Sequence, residues 1–173
     1  MKAYVGLLRA VNVGGTGNLP MTELKSMCDA AGFKSARTYI ASGNVVFKSS
    51  LTEAKVKAAL EAALADYAGK PVEVLVRTAE EMAAVLANNP FPEMPANRTH
   101  AFFLDKAPAA DALQAVSGQA AEQLGQLRPG QREIYVYYPD GAGASKLKIP
   151  AAKTGTARNM NTVAKLAEMA AAL

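Results

Sequence analysis

Apolar residues in the first half of the chain follow two spacings, one typical of strands and the other of helices. Residues 3–11 form a nearly continuous apolar run, which predicts a buried first strand. Apolar residues then return every three or four positions as far as Ala31, so a helix is predicted to begin near Pro20 and to end at Gly32. The chain therefore begins with a strand, a polar loop and an amphipathic helix.

Two further helices carry explicit start signals. Thr52 can cap a helix that ends near Gly69. The segment Thr78-Ala79-Glu80-Glu81 has the spacing of a capping box and predicts a helix through about Asn88. The other strands of this half are predicted at residues 37–41, 45–48 and 71–77, with Ser42-Gly43-Asn44 as a hairpin turn.

The proline-rich segment 89–95 cannot continue a helix or a strand, and the same order of elements returns after it. Strands are predicted at residues 99–104, 123–128 and 133–138, helices at 109–116 and about 160–170, and a helical turn at 145–149. The sequence thus predicts an α/β (α+β) fold of duplicated ferredoxin-like β-α-β-β-α halves with mainly antiparallel sheets. The halves comprise residues 1–88 and 96–173, joined by 89–95. They share little sequence identity, so this inference rests on element order.

Several spaced segments are distinctive when taken together. They are Leu7-Leu8-Arg9-Ala10-Val11-Asn12-Val13-Gly14-Gly15, Tyr39-Ile40-Ala41-Ser42-Gly43-Asn44-Val45-Val46-Phe47, Tyr138-Pro139-Asp140-Gly141 with Ser145-Lys146-Leu147, and Thr156-Ala157-Arg158-Asn159-Met160-Asn161-Thr162-Val163. Together they resemble the bacterial family called domain of unknown function 1697. The family usually has Gly where Ala10 stands and an aromatic residue where Met160 stands. The resemblance implies an α/β fold with internal duplication and carries no established activity.

The composition is that of an ordinary globular protein, with half of the 173 residues apolar and a fifth charged. The net charge of +4 comes from dispersed lysines and arginines, which favours a solvated surface over a nucleic-acid patch. The single cysteine, Cys28, excludes an intramolecular disulfide and suits a reducing compartment. Arg9 and Asn12 interrupt the apolar N-terminal run, which argues against a signal peptide. No stretch is long enough to span a bilayer, so a cytoplasmic location is expected.

Few residues are available for metal or covalent chemistry. His100 is the only histidine and Cys28 the only cysteine, too few for the usual zinc ligand set, so no metal site is expected. No G-x-S-x-G, Walker A or complete G-x-G-x-x-G sequence follows the first strand, so no cofactor is expected either. Whether the protein is an enzyme stays open, because no residue identifies a reaction.

Two polar regions are candidates for binding a small anion. The glycine-rich loop after the first strand, with Gly14 and Gly15, can present backbone N–H groups at a helix N-terminus. Its glycines are equally consistent with a tight connection. Asn159 or Asn161 should cap the last helix, whereas Arg158 opposes the helix dipole and needs an acidic, carbonyl or ligand partner. The candidate ligand-binding residues are Arg9, Asn12, Gly14, Gly15, Ser42, Asn44, Lys146, Arg158, Asn159 and Asn161.

Ser42 and Asn44 are included because they could reach a ligand, although they could instead satisfy only their own hairpin. The leading hypothesis is therefore a protein that binds, or acts on, a small anionic or phosphorylated ligand. One alternative is single-stranded nucleic-acid binding through basic residues and sheet aromatics. The aromatic residues concerned are Phe102, Phe103, Tyr135, Tyr137 and Tyr138. A protein-interaction module is the third possibility, and the oligomeric state is left undetermined.

Overall fold

The computed structural model describes residues 1–12, 18–117, 128–129 and 131–173. The chain divides into two compact units. Unit 1 comprises Met1–Ala83 and Lys165–Leu173, and unit 2 comprises Ala84–Ala164. Both units combine helices with an antiparallel sheet, so the predicted α/β class is confirmed at that level.

Unit 1 contains a four-stranded sheet in the order β2-β3-β1-β4, with every neighbouring pair antiparallel. The β1 and β3 strands pair from Lys2 opposite Ser49 to Leu7 opposite Asn44. The elements are β1 (Lys2–Leu8), α1 (Met21–Ala30), β2 (Lys34–Thr38), β3 (Asn44–Ser49), α2 (Glu53–Ala68), β4 (Val74–Thr78) and α3 (Ala79–Ala87). The part of α3 from Ala84 onward belongs to unit 2.

The local start and stop signals of this half behave as expected. Thr52 Oγ1 accepts a hydrogen bond from Lys55 N at 3.4 Å, and α2 ends at Gly69 with a φ of 69°. Thr78 and Glu81 form the reciprocal capping box that opens α3, with N–H···O distances of 2.9 and 3.2 Å. These helix ends are therefore local properties of the sequence.

The second strand lies three residues earlier than predicted, at 34–38 instead of 37–41. It is an edge strand whose pairing with β3 shifts register between Lys34 and Arg37, and Ser35 has a φ of 56°. Only Ala36 is buried in it. An edge strand with one buried residue and an irregular register lacks the apolar alternation that would locate it in the sequence.

The opposite edge of the sheet, β4, is covered by side chains of α2. Lys57 Nζ donates to Val74 O at 2.6 Å, and Val74 N donates to Glu61 Oε2 at 2.9 Å. Lys57 and Glu61 also form an i,i+4 ion pair at 2.9 Å. The two side chains occupy backbone groups through which a further strand would pair, and this protects the edge.

Unit 2 contains a second antiparallel sheet, in the order β6-β7-β5-β8. Counted within each unit, its strand order matches that of unit 1. The elements are β5 (Thr99–Phe103), β6 (Arg128–Pro129), β7 (Glu133–Tyr137), β8 (Thr156–Asn159) and the start of α4 (Met160–Ala171), with short 3-10 helices at Ala96–Arg98, Ala112–Ala115, Ala142–Ala144 and Pro150–Ala152. From Lys165 onward α4 belongs to unit 1.

Three predictions for the second half need correction or fall outside the described residues. The helix expected at 109–116 is a single 3-10 turn at Ala112–Ala115. Its apolar anchors on the core are Leu113 and Val116, too few to stabilise a longer helix. Residues 145–149 are not helical but extended, and Leu147 and Ile149 pack on the core. Of the strand expected at 123–128, residues 123–127 are not described.

Strand β8 was not anticipated from the sequence. Its four residues, Thr-Ala-Arg-Asn, show no apolar alternation, and only pairing with β5 identifies them as a strand. The last helix follows directly and buries the expected apolar stripe, which includes Met160, Val163 and Leu166. Within the described ranges, no helix is both long and apolar enough to cross a membrane.

Candidate functional site

The predicted glycine loop can be followed only at its ends, because Gly14 and Gly15 lie outside the described residues. At its start, Arg9 is partly buried and its backbone N donates to Glu73 O at 2.9 Å. Asn12 Nδ2 donates to Leu19 O at 2.8 Å and to Ala41 O at 2.9 Å. Asn12 Oδ1 accepts from Leu19 N at 2.6 Å. The Asn12 amide thus closes the loop and ties it to the β2–β3 hairpin.

The hairpin residues hold one another. Asn44 is fully buried, and its Nδ2 donates to Tyr39 O at 2.9 Å and to Ser42 Oγ at 3.0 Å. A Cβ on Gly43 would come within 2.6 Å of Val11 Cγ2, so the hairpin and the loop after β1 pack without room for a side chain there. The structural role left open for Ser42 and Asn44 is therefore present.

Backbone strain is concentrated where these two loops meet. Ala10, Asn12 and Ile40 have φ values of 56°, 53° and 49°, in the left-handed region that favours glycine. Such a conformation costs an ordinary residue about 1–2 kcal/mol. Glycine, which the resemblance to the family implies at this position, would adopt the φ of Ala10 without strain. Strained backbone held by surrounding packing is often found next to binding sites.

The remaining candidates belong to unit 2 and lie close together in the chain. Arg158 lies in β8 and is 7% exposed, and its Nη1 donates to Thr156 Oγ1 and to Ala157 O, both at 2.9 Å. Burial lowers the pKa of Arg158 to about 10, so it remains charged at neutral pH. Asn159 Oδ1 accepts from Thr162 N at 3.0 Å and caps α4, as expected. Asn161 and Lys146 are exposed.

Cys28 and His100 have surroundings that suit structural roles. Cys28 is buried on α1, and burial raises the pKa of its thiol to about 12, which keeps it protonated. The His100 ring packs edge-on against Tyr138 with centroids 5.3 Å apart. Its Nδ1 is buried and has no hydrogen-bond partner in the part of the chain that the structure describes. Burial also lowers the pKa of His100.

A cleft that sequence reasoning missed lies in unit 1 and has a volume of about 220 Å³. It is formed where the ends of the loop after β1 meet the C-terminal turn of α2 and the segment leading into β4. Its lining residues are Ala10, Val11, Asn12, Asn18, Leu19, Leu64, Tyr67, Ala68, Lys70 and Val72. The available signal in the sequence was Tyr67, an aromatic residue that continues the apolar stripe of α2. In the structure this residue is 48% exposed.

The cleft combines an apolar floor with a polar rim. Val11, Leu19 and Leu64 are buried, whereas Asn18 and Lys70 are exposed. The side chains of Asn18, Tyr67 and Lys70 form no hydrogen bond or ion pair with any other described residue. Of the lining residues that the structure describes, none is acidic. The C-terminus of α2 contributes about half a negative charge nearby, which is smaller than the full positive charge of Lys70.

Comparison with known proteins places this geometry in a family. No curated protein matches the chain. The structure is similar to that of the conserved bacterial protein SP0830 from Streptococcus pneumoniae, with a TM-score of 0.76 and 22% sequence identity over 98% of each chain. At that identity the likeness concerns the fold alone. The family model described as "Protein of unknown function (DUF1697)" matches residues 1–135. The chain therefore belongs to this family of proteins of unknown function.

Proposed function

We propose that the protein binds a small anionic ligand in the unit 1 cleft. The observation that carries this proposal is Lys70, an ammonium group with no ion-pair partner among the described residues. It lies at the rim of an apolar floor whose described lining residues include no carboxylate. Apolar walls with a few convergent polar groups are the usual composition of small-molecule sites. An anion with an apolar body can pack on the apolar floor and pair with the Lys70 ammonium group at the same time.

The cleft is a better candidate for the anion site than the side chains of Arg158 and Asn12, which the sequence suggested. Arg158 donates to two groups of its own strand, and Asn12 uses both amide hydrogens and its oxygen inside the protein. Asn12 could bind an anion only after breaking those bonds, at about 1 kcal/mol or more for each. Arg158 is 7% exposed, so little of its guanidinium is accessible to a ligand. Lys70 and Asn18 need no such rearrangement within the described residues, which supports the cleft as the site.

Nucleic-acid binding by stacking on the unit 2 sheet receives less support. Phe103, Tyr135 and Tyr138 are buried, and Tyr135 additionally donates its hydroxyl hydrogen to Val85 O at 2.8 Å. Phe102 and Tyr137 are partly exposed, and the Tyr137 ring contacts Phe91 with centroids 6.2 Å apart. Three of the five rings therefore have no face available to a base.

Two further proposals concern the origin of the fold and the cellular location of the protein. The two sheets share one strand order, which supports a duplicated ferredoxin-like arrangement with a junction in the proline-rich segment 89–95. A single buried cysteine supports a reducing, cytoplasmic location. Neither proposal depends on the ligand.

A ligand screen with matched variants tests the proposed site. Nucleotides, sugar phosphates and organic acids are screened by thermal shift on the wild-type protein, and the dissociation constants of stabilising compounds are measured by calorimetry. We expect Lys70→Ala to weaken binding about tenfold, because a charge-assisted hydrogen bond is lost. Lys55→Ala removes the same charge from an exposed position of α2 outside the cleft and should leave affinity unchanged.

The proposal fails if no small anion stabilises the protein. It also fails if Lys70→Ala and Lys55→Ala weaken binding equally, because the effect would then reflect net charge rather than the cleft. Binding of single-stranded nucleic acid with a steep dependence on salt concentration would favour the alternative function instead.

A further inference from the structure

The size, charge and lining of the cleft narrow the class of ligand beyond a small anion. We infer that it takes a planar aromatic monocarboxylate with a single ring. This inference rests on the proposed function, since it concerns the same cleft. Three independent properties of the lining lead to it, namely volume, charge balance and the position of one aromatic side chain.

The volume sets an upper limit on ligand size. Sites that enclose drug-sized molecules usually have volumes of roughly 300–1,000 Å³. The unit 1 cleft, at about 220 Å³, lies below that range. A nucleotide would leave most of its surface outside the cleft. A single ring with one small substituent matches the available space.

The charge balance favours one negative charge over two. Lys70 is the only cationic residue that lines the cleft among the described residues, and the C-terminus of α2 opposes it with about half a negative charge. A phosphate monoester carries about −1.5 to −2 at neutral pH, which this lining would leave partly uncompensated. No arginine lines the cleft in the described part of the chain, so the forked donor that recognises phosphate is not provided. A carboxylate needs only the ammonium group and a neutral donor such as the Asn18 amide.

The aromatic part of the inference depends on Tyr67. This residue is 48% exposed at the last turn of α2, although it continues the stripe that buries Val56, Leu60 and Leu64. A half-exposed ring beside an apolar floor gives a ligand ring an edge or a face to contact. Aromatic pairs gain affinity beyond their buried area, equivalent to about two- to tenfold at room temperature. A ligand ring is therefore preferred over a saturated ring of similar size.

Four simple probes separate these properties. Benzoate, cyclohexanecarboxylate, benzyl alcohol and phenyl phosphate are titrated at constant ionic strength, and chemical-shift changes in 15N-labelled protein report both affinity and location. We expect benzoate to bind most tightly and to shift the amides of Leu64, Tyr67 and Lys70. Cyclohexanecarboxylate should bind about two- to tenfold more weakly, and benzyl alcohol about tenfold more weakly, for lack of the ring face and the charge respectively.

Variants of Tyr67 give a second measurement. Tyr67→Leu keeps apolar bulk but removes the ring, so it should weaken benzoate and leave cyclohexanecarboxylate unchanged. Tyr67→Phe keeps the ring and should bind both probes like the wild type. Thermal unfolding of each variant without a probe verifies that the fold is retained, and the half-exposed position of Tyr67 makes that the expected result.

Each contrary outcome is informative. Tighter binding of phenyl phosphate than of benzoate overturns the monocarboxylate inference while leaving the proposed anion site in place. Equal affinities for benzoate and cyclohexanecarboxylate overturn its aromatic part. If none of the four probes binds, the inference fails, whereas the proposed function fails only if the wider anion screen is also negative.

Discussion

The two units share a strand order but differ in what covers their sheets. In unit 1 the ten-residue α1 and the sixteen-residue α2 supply apolar side chains, including Leu24 and Leu60, to one core cluster. In unit 2 the described cover of the β7 core residues consists of a short 3-10 turn and an extended segment, which contribute Leu113, Leu147 and Ile149. Among the described residues, the two sheets are therefore covered by different kinds of segment.

The two units also differ in their buried polar groups. In unit 1 the buried amide of Asn44 finds two partners within five residues along the chain. In unit 2 Arg158 is buried as a charge on an edge strand, and His100 Nδ1 is buried without a partner among the described residues. Burying a polar group is costly unless it is hydrogen-bonded. Unit 1 also buries a charged side chain, Arg77, which is 1% exposed and whose Nη1 donates to Val76 O at 2.9 Å. The contrast therefore lies in His100, and we expect unit 2 to contribute the stronger pH dependence of stability.

The largest effect is expected at Arg158. Arg158→Ala should lower the free energy of unfolding by about 2–4 kcal/mol, because it removes buried hydrogen bonds and leaves space behind. Urea denaturation measures the change. Arg37→Ala, on the exposed edge strand β2, is the control and should change stability by less than about 0.5 kcal/mol. A loss below about 1 kcal/mol for Arg158→Ala would mean that the guanidinium is available for a ligand, as the sequence suggested.

In unit 1, Asn12 tests the contribution of the loop after β1 to stability. Asn12→Ala should cost about 1–3 kcal/mol, because three hydrogen bonds are lost while the positive φ is retained. Asn12→Gly loses the same bonds but relieves the strain, so it should be less destabilising by about 0.5–1 kcal/mol. The same denaturation assay applies to both variants. Equal losses would show that the loop relaxes out of the left-handed conformation once the side chain is removed.

His100 gives unit 2 a pH dependence. Burial lowers the pKa of His100 below its ordinary value of 6.5, so the unfolded chain takes up the proton first as the pH falls. Stability should therefore decrease below about pH 6.5, with a slope of at most about 1.4 kcal/mol per pH unit. His100→Gln should remove this slope between pH 7 and 5. Because His100 is the only histidine, an unchanged slope in the variant would assign the effect to carboxylates.

The smallest effect is a gain in stability at Ala10. Ala10→Gly should raise the free energy of unfolding by about 0.5–1 kcal/mol, because glycine adopts the φ of 56° without strain. Ala58→Gly, at an exposed position inside α2, should instead lower it by about 1 kcal/mol. Thermal and urea unfolding of the pair measures both changes. A loss of stability in both variants would contradict the left-handed conformation at Ala10.

Part of the candidate site could be predicted from sequence and part could not. The loop after β1 was identified as a candidate from its glycines, and its Asn12 does line the cleft. Tyr67 and Lys70 were not identified, because their role depends on residues some fifty positions earlier in the chain. Arg158 was expected to need a partner because it opposes the helix dipole, but its burial in a strand has no local signal.

The sequence alone determined the features that depend on residues close together in the chain. The ends of α2 and the start of α3 follow from Thr52, Gly69 and the Thr78–Glu81 pair, because capping groups lie within four residues of their partners. The tertiary structure alone decided the strand character of β8, the burial of Arg158 and the existence of the cleft. Each depends on segments distant in sequence, and such contacts are made by packing and sheet pairing that no local spacing encodes.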